Sequence, residues 1–464
     1  MRQGDTGPTG TPRRKVTVMD GGRRQGGQVQ GGQVQGGRVP AGRAPAGRAP
    51  TGGAGAGRRV VGLLVPVLAA MTVAATGVVA GGPAGVAEAG GTRGPAAGRT
   101  TTPVGWRPVA LPAPTEGASH QLQGISCPSS TFCMAVGSSN PRTGTDAVPV
   151  DETFDGRSWT VRHPPTVGAS TALTGVSCRS ADDCTVVGAG VHGPTDSYPV
   201  AEHWNGSSWQ VQTITGPTDA QLAAVACPSA SVCVAVGSAG SEGEPRPLTE
   251  RWTAGSGWTV VPAPSLRGTA TLDAVSCPTT TRCLAVGSDG TEPRTVDVVE
   301  FYDGHAWGVS RTPEVSASSL NGISCPTTYS CVAVGEQPST NPNVPENPLS
   351  LVLRSGQWAT QAVPADVPGA LPEQMGAVSC LSLHSCSSTG DYLTDKKGTG
   401  YAYPLALYHW NGNAWSDVAV TQTSGNRSVL SGVDCPPVGA CTAVGATIAA
   451  DARYALFAER GPAR

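Results

Sequence analysis

Lysine is almost missing from this chain of 464 residues: Lys15, Lys396 and Lys397 are the whole set. Charged residues make up 14%, aromatic residues 5%, and phenylalanine occurs four times. So few large rings leave an aromatic-poor core, and so little charge fits strands buried on both faces. No segment places its apolar residues at the 3.6-residue spacing of an amphipathic helix, which leaves strands. The net charge of −2 conceals a split, because residues 1–59 hold eleven basic side chains against Asp5 and Asp20 and the remainder carries −11. A mildly acidic globular part argues against a phosphate-binding face, so nucleic acid is not an expected partner. Neither a Ser-His-Asp nor a Cys-His pattern is legible, and no glycine-rich phosphate loop leads from a strand into a helix. No catalytic residue, no metal and no cofactor is therefore assigned.

Glycine (63) and proline (40) are abundant, as suits a chain full of turns. One stretch, Gly124-Ile125-Ser126-Cys127 continuing to Cys133-Met134-Ala135-Val136-Gly137, comes back six more times. Its cysteines pair off as Cys127 and Cys133, Cys178 and Cys184, Cys227 and Cys233, Cys277 and Cys283, Cys325 and Cys331, Cys380 and Cys386, Cys435 and Cys441, each pair with five residues between its members. Zinc sites space their near ligands by about two to four residues and need four ligands. No histidine recurs beside these pairs, so disulfides are expected, and with them an oxidising compartment. The first cysteines of successive pairs stand 48–55 residues apart, a period that points to a propeller or a solenoid.

The second unit serves as a model. Leu173–Cys178 and Cys184–Gly188 read as two short strands around a turn, Pro199–Trp204 as a third and Ser208–Gln212 as a fourth. Asn205-Gly206 is read as a two-residue hairpin turn that sets Trp204 and Trp209 diagonally on one face. Four antiparallel strands in such a unit make a propeller blade. Seven cysteine hairpins are followed by only six complete pairs of third and fourth strands. The last unit stops after Tyr454–Gly461, and the missing strand stands at the other end as Gly105-Trp106-Arg107-Pro108-Val109. A closed ring explains that offset and an open solenoid does not. The expected fold is therefore all-β: a seven-bladed propeller over 105–461 with one hairpin disulfide per blade.

Ahead of it, 1–59 is a basic Gly- and Arg-rich leader expected to be disordered. Residues 60–89 contain an apolar run, Val60 to Ala80, and then Ala87-Glu88-Ala89, a peptidase-type site. They are read as a signal peptide, favoured by Pro66 and the many Ala and Gly residues, or as a single uncleaved anchor. Residues 90–104 read as a linker. Either reading places the ring outside the cell or on its surface, touching the membrane only through 60–80 if those residues are retained.

The pattern Ser-Cys-Pro-x4-Cys-x-Ala-Val-Gly followed by Trp-Asn-Gly-x-x-Trp resembles repeats of secreted bacterial propeller proteins. It is similar to those of Asp-box (BNR), kelch and galactose-oxidase-type propellers, although Asp155-Gly156 and Asp303-Gly304 are adjacent where the Asp-box keeps one residue between. Such rings include sialidases, lyases, oxidases and pure binding scaffolds, and shape does not choose among them. The face where second-to-third and fourth-to-first strand loops gather is the irregular one. Unit five carries an insertion from Glu336 to Glu346. In unit six Ser387-Ser388-Thr389 stands for Ala-Val-Gly, followed by a Tyr- and Lys-bearing loop from Gly390 to Tyr403. Asp391, Tyr392, Lys396, Lys397, Tyr401 and Tyr403 are the candidate ligand residues. The expectation is a monomeric binding ring for a protein or glycan at the cell envelope. The alternative is a secreted glycoside hydrolase or lyase using acids on the same face.

Overall fold

The computed structural model describes residues 105–462 apart from short stretches at 113–118, 141–145, 194–195, 241–243, 265, 267, 291–295, 314, 316, 340–345, 365–370, 396–400, 403–404, 419, 421–426 and 449–453. The leader, the apolar segment and the linker lie outside the described residues. Blade one is Ser119–Ser129, Phe132–Asn140, Val148–Phe154 and Trp159–Arg162, paired antiparallel in that order. Six more sheets repeat the plan. Each first strand packs against the first strand of the next blade, and the seventh returns to the first. The first strands therefore line the axis, and the tryptophan-bearing fourth strands lie at the outer edge.

Closure is made as the strand count requires. Blade seven takes Arg427–Asp434, Ala440–Ile448 and Tyr454–Pro462 from the C-terminal end and Arg107–Val109 from the N-proximal end. The register is Arg107↔Arg460, Pro108↔Glu459 and Val109↔Ala458, and a proline is tolerated because this strand is an edge. Trp106 lies over Gly461, where a Cβ would come within 2.5 Å of the indole.

All fourteen cysteines are oxidised in the expected pairs. Cys127 is bonded to Cys133, Cys178 to Cys184, Cys227 to Cys233 and Cys277 to Cys283. Cys325 is bonded to Cys331, Cys380 to Cys386 and Cys435 to Cys441. The paired Cα atoms stand 4.0–4.1 Å apart across the first two strands of each blade. The second member of each pair is the more enclosed: Cys133, Cys184, Cys233, Cys283, Cys331, Cys386 and Cys441 are all buried, at 0–5% exposure, because the second strand lies inside the sheet. These bridges hold the blades together and carry no reactive thiol. Each closes a loop short enough to contribute roughly 2 kcal/mol in the chain-entropy model.

The repeated small residues have separate causes. The glycine four places after the second cysteine faces a bulge in the first strand. A Cβ on Gly137, Gly188, Gly237, Gly287, Gly335 or Gly445 would stand 1.9–2.1 Å from a carbonyl oxygen of that strand. Blade six keeps this glycine as Gly390, 2.6 Å by the same measure. Ser387-Ser388-Thr389 thus replaces the three residues before the glycine, and the sequence reading was one residue out of register there. Where first strands approach one another, Gly124, Gly175 and Gly322 leave no room for a side chain, with neighbouring backbone 2.8–2.9 Å from a would-be Cβ.

The serine before the first cysteine is a staple between blades. Ser126, Ser177, Ser276, Ser324 and Ser379 each accept a hydrogen bond at 3.0–3.1 Å from the amide of the next blade's first cysteine. Asp434 does this at the closing junction, accepting from the Cys127 amide at 2.6 Å. Blade three has Ala226 there and offers Cys277 no hydroxyl. Ala226→Ser is therefore expected to stabilise the ring by about 1 kcal/mol, read as a higher denaturant midpoint at unchanged m-value. No gain would mean that the staple is incidental.

The hairpin between third and fourth strands differs from expectation. Trp204 and Trp209 are directly opposed, not diagonal, with ring centroids 5.5 Å apart. Asn205 to Ser208 form a four-residue turn in which Asn205 Oδ1 accepts from the Ser207 and Ser208 amides at 3.0 and 2.9 Å. Asp155, Asp303 and Asn411 cap their turns in the same way. The side-chain cap satisfies the turn amides and lengthens the loop, which restores a face-to-face register. Apolar packing is divided into seven clusters among the described residues, each containing one residue of the set Leu122, Leu173, Leu222, Leu272, Leu320, Met375 and Leu430. Clusters such as that of Val187 and Ala201 with Leu222 and Trp258 draw on adjacent blades. The ring is held by its interfaces rather than by one central core.

Candidate functional site between blades five and six

Blade five is Ser319–Thr327, Ser330–Pro338, Glu346–Arg354 and Gln357–Gln361; the first three strands of blade six are Leu371–Ser382, Ser385–Asp395 and Leu405–Trp410. The second strand of blade six overruns its blade. After Asp391↔Leu405, Thr394 and Asp395 pair with Ala402 and Tyr401 in a short ribbon. The irregular loop of unit six is thus partly a β-ribbon carried by the blade, with Tyr401 on its returning strand. Tyr392 lies on the outgoing strand opposite Pro372. Lys396, Lys397 and Tyr403 lie outside the described residues.

Asp391 is set apart from the ribbon. Its side chain is 6% exposed and turned inward, where Gln374 Nε2 donates to Oδ2 at 3.3 Å. Two further carboxyls meet it there, both supplied by the ends of the blade-five insertion. Glu336, 8% exposed, accepts from Ser319 Oγ at 3.4 Å and shares a hydrogen bond with Glu346. Burial first, and then the neighbouring Glu346, push the Glu336 carboxyl up to about 9. Burial, with Glu346 adding to it against the Gln374 hydrogen bond, pushes Asp391 up to about 6. Asp391 Oδ1 is a buried acceptor with no hydrogen-bond partner. Asn321 Nδ2 donates to the Met375 carbonyl at 3.1 Å and ties the two blades together beside them.

Carboxyls so placed accept hydrogen bonds or a positive charge, and their separated protonation would also allow one to act as acid and another as base. Among the described residues no three His, Cys, Asp or Glu side chains come close enough to hold a metal ion. The acidic turn of unit two is occupied from within, since Asp183 binds Arg179 at 2.6 Å and His203 at 3.2 Å.

Sequence reasoning placed Asp391 in a polar loop and treated Glu336 and Glu346 only as the ends of an insertion. It also missed Glu152, Glu202, Glu250, Glu300 and Glu459, which stand at one register on third strands and are 0–1% exposed. None of their carboxyl oxygens has a hydrogen-bond partner. Burial raises these five from 4.5 to about 7 at Glu250 and about 8 at the others. The available signal was a glutamate recurring two to four residues before the hairpin turn or the chain's last glycine, a position where strands expected to be buried should carry no charge.

Fold and site together define a closed seven-bladed β-propeller with a buried cluster of carboxyls between blades five and six. No protein-family model and no curated protein matches the chain. Among solved structures it is similar to an ulvan lyase of polysaccharide lyase family PL25 bound to a glucuronate–sulfated rhamnose ligand, at TM-score 0.47 and 8% identity over 77% of this chain and 93% of that one. YCF48 bound to D1 peptide is similar at TM-score 0.46 and 12% identity, over 77% and 97% of the two chains. The propeller domain of the trilobed protease from Pyrococcus furiosus, with an open velcro topology, is similar at TM-score 0.45 and 8% identity over 73% and 95%. The likeness is one of fold.

Proposed function

We propose that this ring is a binding propeller of the extracellular space or cell envelope that recognises a protein or glycan through its loop-rich face. Seven disulfides fit an oxidising compartment. The reading rests on one observation: Asp391 Oδ1 is buried without a hydrogen-bond partner near the paired Glu336 and Glu346 carboxyls, on the strand that runs on into the ribbon of Tyr401. Buried acceptors left unmatched are costly, and a ligand bringing hydrogen-bond donors or a positive charge removes that cost. Tyr392, Lys396, Lys397, Tyr401 and Tyr403, which follow Asp391 in sequence, are the other proposed contact residues.

The test is binding to a glycan array and to purified envelope fractions, repeated with Asp391→Asn and Tyr401→Ala. Each substitution is expected to weaken binding at least about tenfold, the equivalent of one well-made contact. Because Asp391 ionises near pH 6, affinity for a donor-bearing ligand should rise between pH 5 and pH 7. Binding indifferent to both substitutions would remove this face from consideration.

A second reading, a glycoside hydrolase or lyase, is favoured by the separation of the Glu336 and Asp391 carboxyls to about 9 and about 6. Around neutral pH that leaves one proton donor beside one proton acceptor. Turnover of a polysaccharide by the purified ring, abolished by Glu336→Gln, would establish it in place of the first.

A further inference from the structure

A second feature lies away from the buried carboxyls, on the outer edge between blades two and three. The fourth strand of blade two, Trp209–Gln212, and the third and fourth strands of blade three, Arg246–Thr253 and Gly257–Val260, border an open pocket of about 400 Å³. Trp252 and Trp258 supply its aromatic wall, and Gln212, Thr213, Thr215 and Ser256 supply polar groups. Among the described residues no charged side chain lines it.

The pocket exists because blade three departs from its neighbours in two ways. Its hairpin carries five residues between the paired tryptophans, Trp252 and Trp258, where blades one and two carry four. Gly255 and Gly257 in that longer turn have open space where a Cβ would stand. The aromatic cover also changes. On blades one, two and six the preceding blade lays a guanidinium over the third-strand aromatic. Arg460 lies 4.2 Å from the Phe154 ring, Arg162 lies 4.5 Å from the Trp204 ring and Arg354 lies 5.9 Å from the Trp410 ring. Those rings are 3%, 7% and 0% exposed. At the position of Arg162, blade two has Gln212, whose Oε1 accepts from Trp258 Nε1 at 2.8 Å. Trp252 is left half-buried, facing the pocket.

We infer that this pocket binds a neutral sugar ring, with the hydrocarbon face of the sugar on the Trp252 indole. Such a ligand has one apolar face and a rim of hydroxyls, and the pocket offers the complement. An indole supplies a flat apolar surface. The Gln212 amide nitrogen and the hydroxyls of Thr213, Thr215 and Ser256 can donate to or accept from sugar hydroxyls. The uncharged lining gives an acidic or sulfated sugar no counter-ion, and a single half-open tryptophan lacks the parallel aromatic ridges that grip a proline-rich peptide. The site is independent of Glu336 and Asp391.

Saturation-transfer NMR with methyl glycosides of glucose, galactose, mannose and N-acetylglucosamine, and with their neutral trisaccharides, tests the inference. At least one should bind saturably to the full chain. Trp252→Ala should weaken it at least tenfold, and Gln212→Arg should do the same by laying an arginine over Trp252 as Arg162 lies over Trp204. The second variant keeps the core tryptophans and guards against loss of folding in the first, with circular dichroism as the check on both. Asp391→Asn should leave this binding unchanged. The inference is overturned if no neutral sugar binds, if binding survives Gln212→Arg, if Asp391→Asn abolishes it, or if a proline-rich peptide binds there in place of every sugar.

Discussion

Trp106→Ala is expected to cost about 3–5 kcal/mol of stability, the range for deleting a large buried aromatic side chain. Trp106 is 4% exposed and packs with Leu405, Leu407 and Val418 of blade six and with Val433 and Phe457 of blade seven. It therefore joins the N-proximal strand to two blades at once. Alanine in its place leaves the cavity above Gly461 unfilled. The second half of the closure is polar. Asp434 accepts from the Cys127 amide at 2.6 Å, the Ser379 hydroxyl at 2.9 Å and its neighbour Cys435's amide at 2.9 Å. Asp434→Ala should cost about 2 kcal/mol, and Asp434→Ser should recover most of it, because serine performs this duty at five other junctions. Denaturant unfolding measures all three. A loss below about 1 kcal/mol for Trp106→Ala would show that the ring does not depend on this seam.

The five third-strand glutamates should make the ring less stable as pH rises. In the folded chain their carboxyls titrate near 7 for Glu250 and near 8 for Glu152, Glu202, Glu300 and Glu459, against 4.5 for an ordinary glutamate. Between about pH 4.5 and pH 8 the folded state thus holds protons that the unfolded state has released, so the slope of unfolding free energy with pH is negative. The physical cause is burial of a group with no counter-charge. At Glu152 and Glu202 the nearby Asp151 adds repulsion to that burial. Glu202→Gln keeps the shape and cannot ionise. It should match the native chain at pH 5 and exceed it at pH 8.5 by at least about 1.4 kcal/mol, the value of one pKa unit. Combining all five substitutions should flatten the pH profile of the unfolding midpoint across this range. An unchanged profile in the combined variant would mean that these carboxyls take up no proton on folding.

The recurring glutamate also shows where sequence reading stops. Cysteine pairs five residues apart, a period near fifty and a stray strand at the wrong end of the chain are local or countable features. They carried the disulfides, the blade count and the closure. The turn caps were half legible: Asn205-Gly206 marked a hairpin, but the four-residue loop followed from Asn205 Oδ1 bonding two amides. The register of blade six was misread because three polar residues replaced the apolar ones before Gly390, although that glycine keeps its place four residues after Cys386 and faces the Gln374 carbonyl as its counterparts face theirs.

The chain's own order of residues was enough to specify seven oxidised hairpins and a ring, because each blade is built from neighbours in sequence and the repeat averages away local accidents. Which side chains meet between blades was decided by the folded ring. Glu336, Glu346 and Asp391 come from two blades, and Gln212, Trp252 and Trp258 from another two. Their distances depend on how far adjacent sheets twist and how closely their first strands approach, and neither quantity is written in any single repeat.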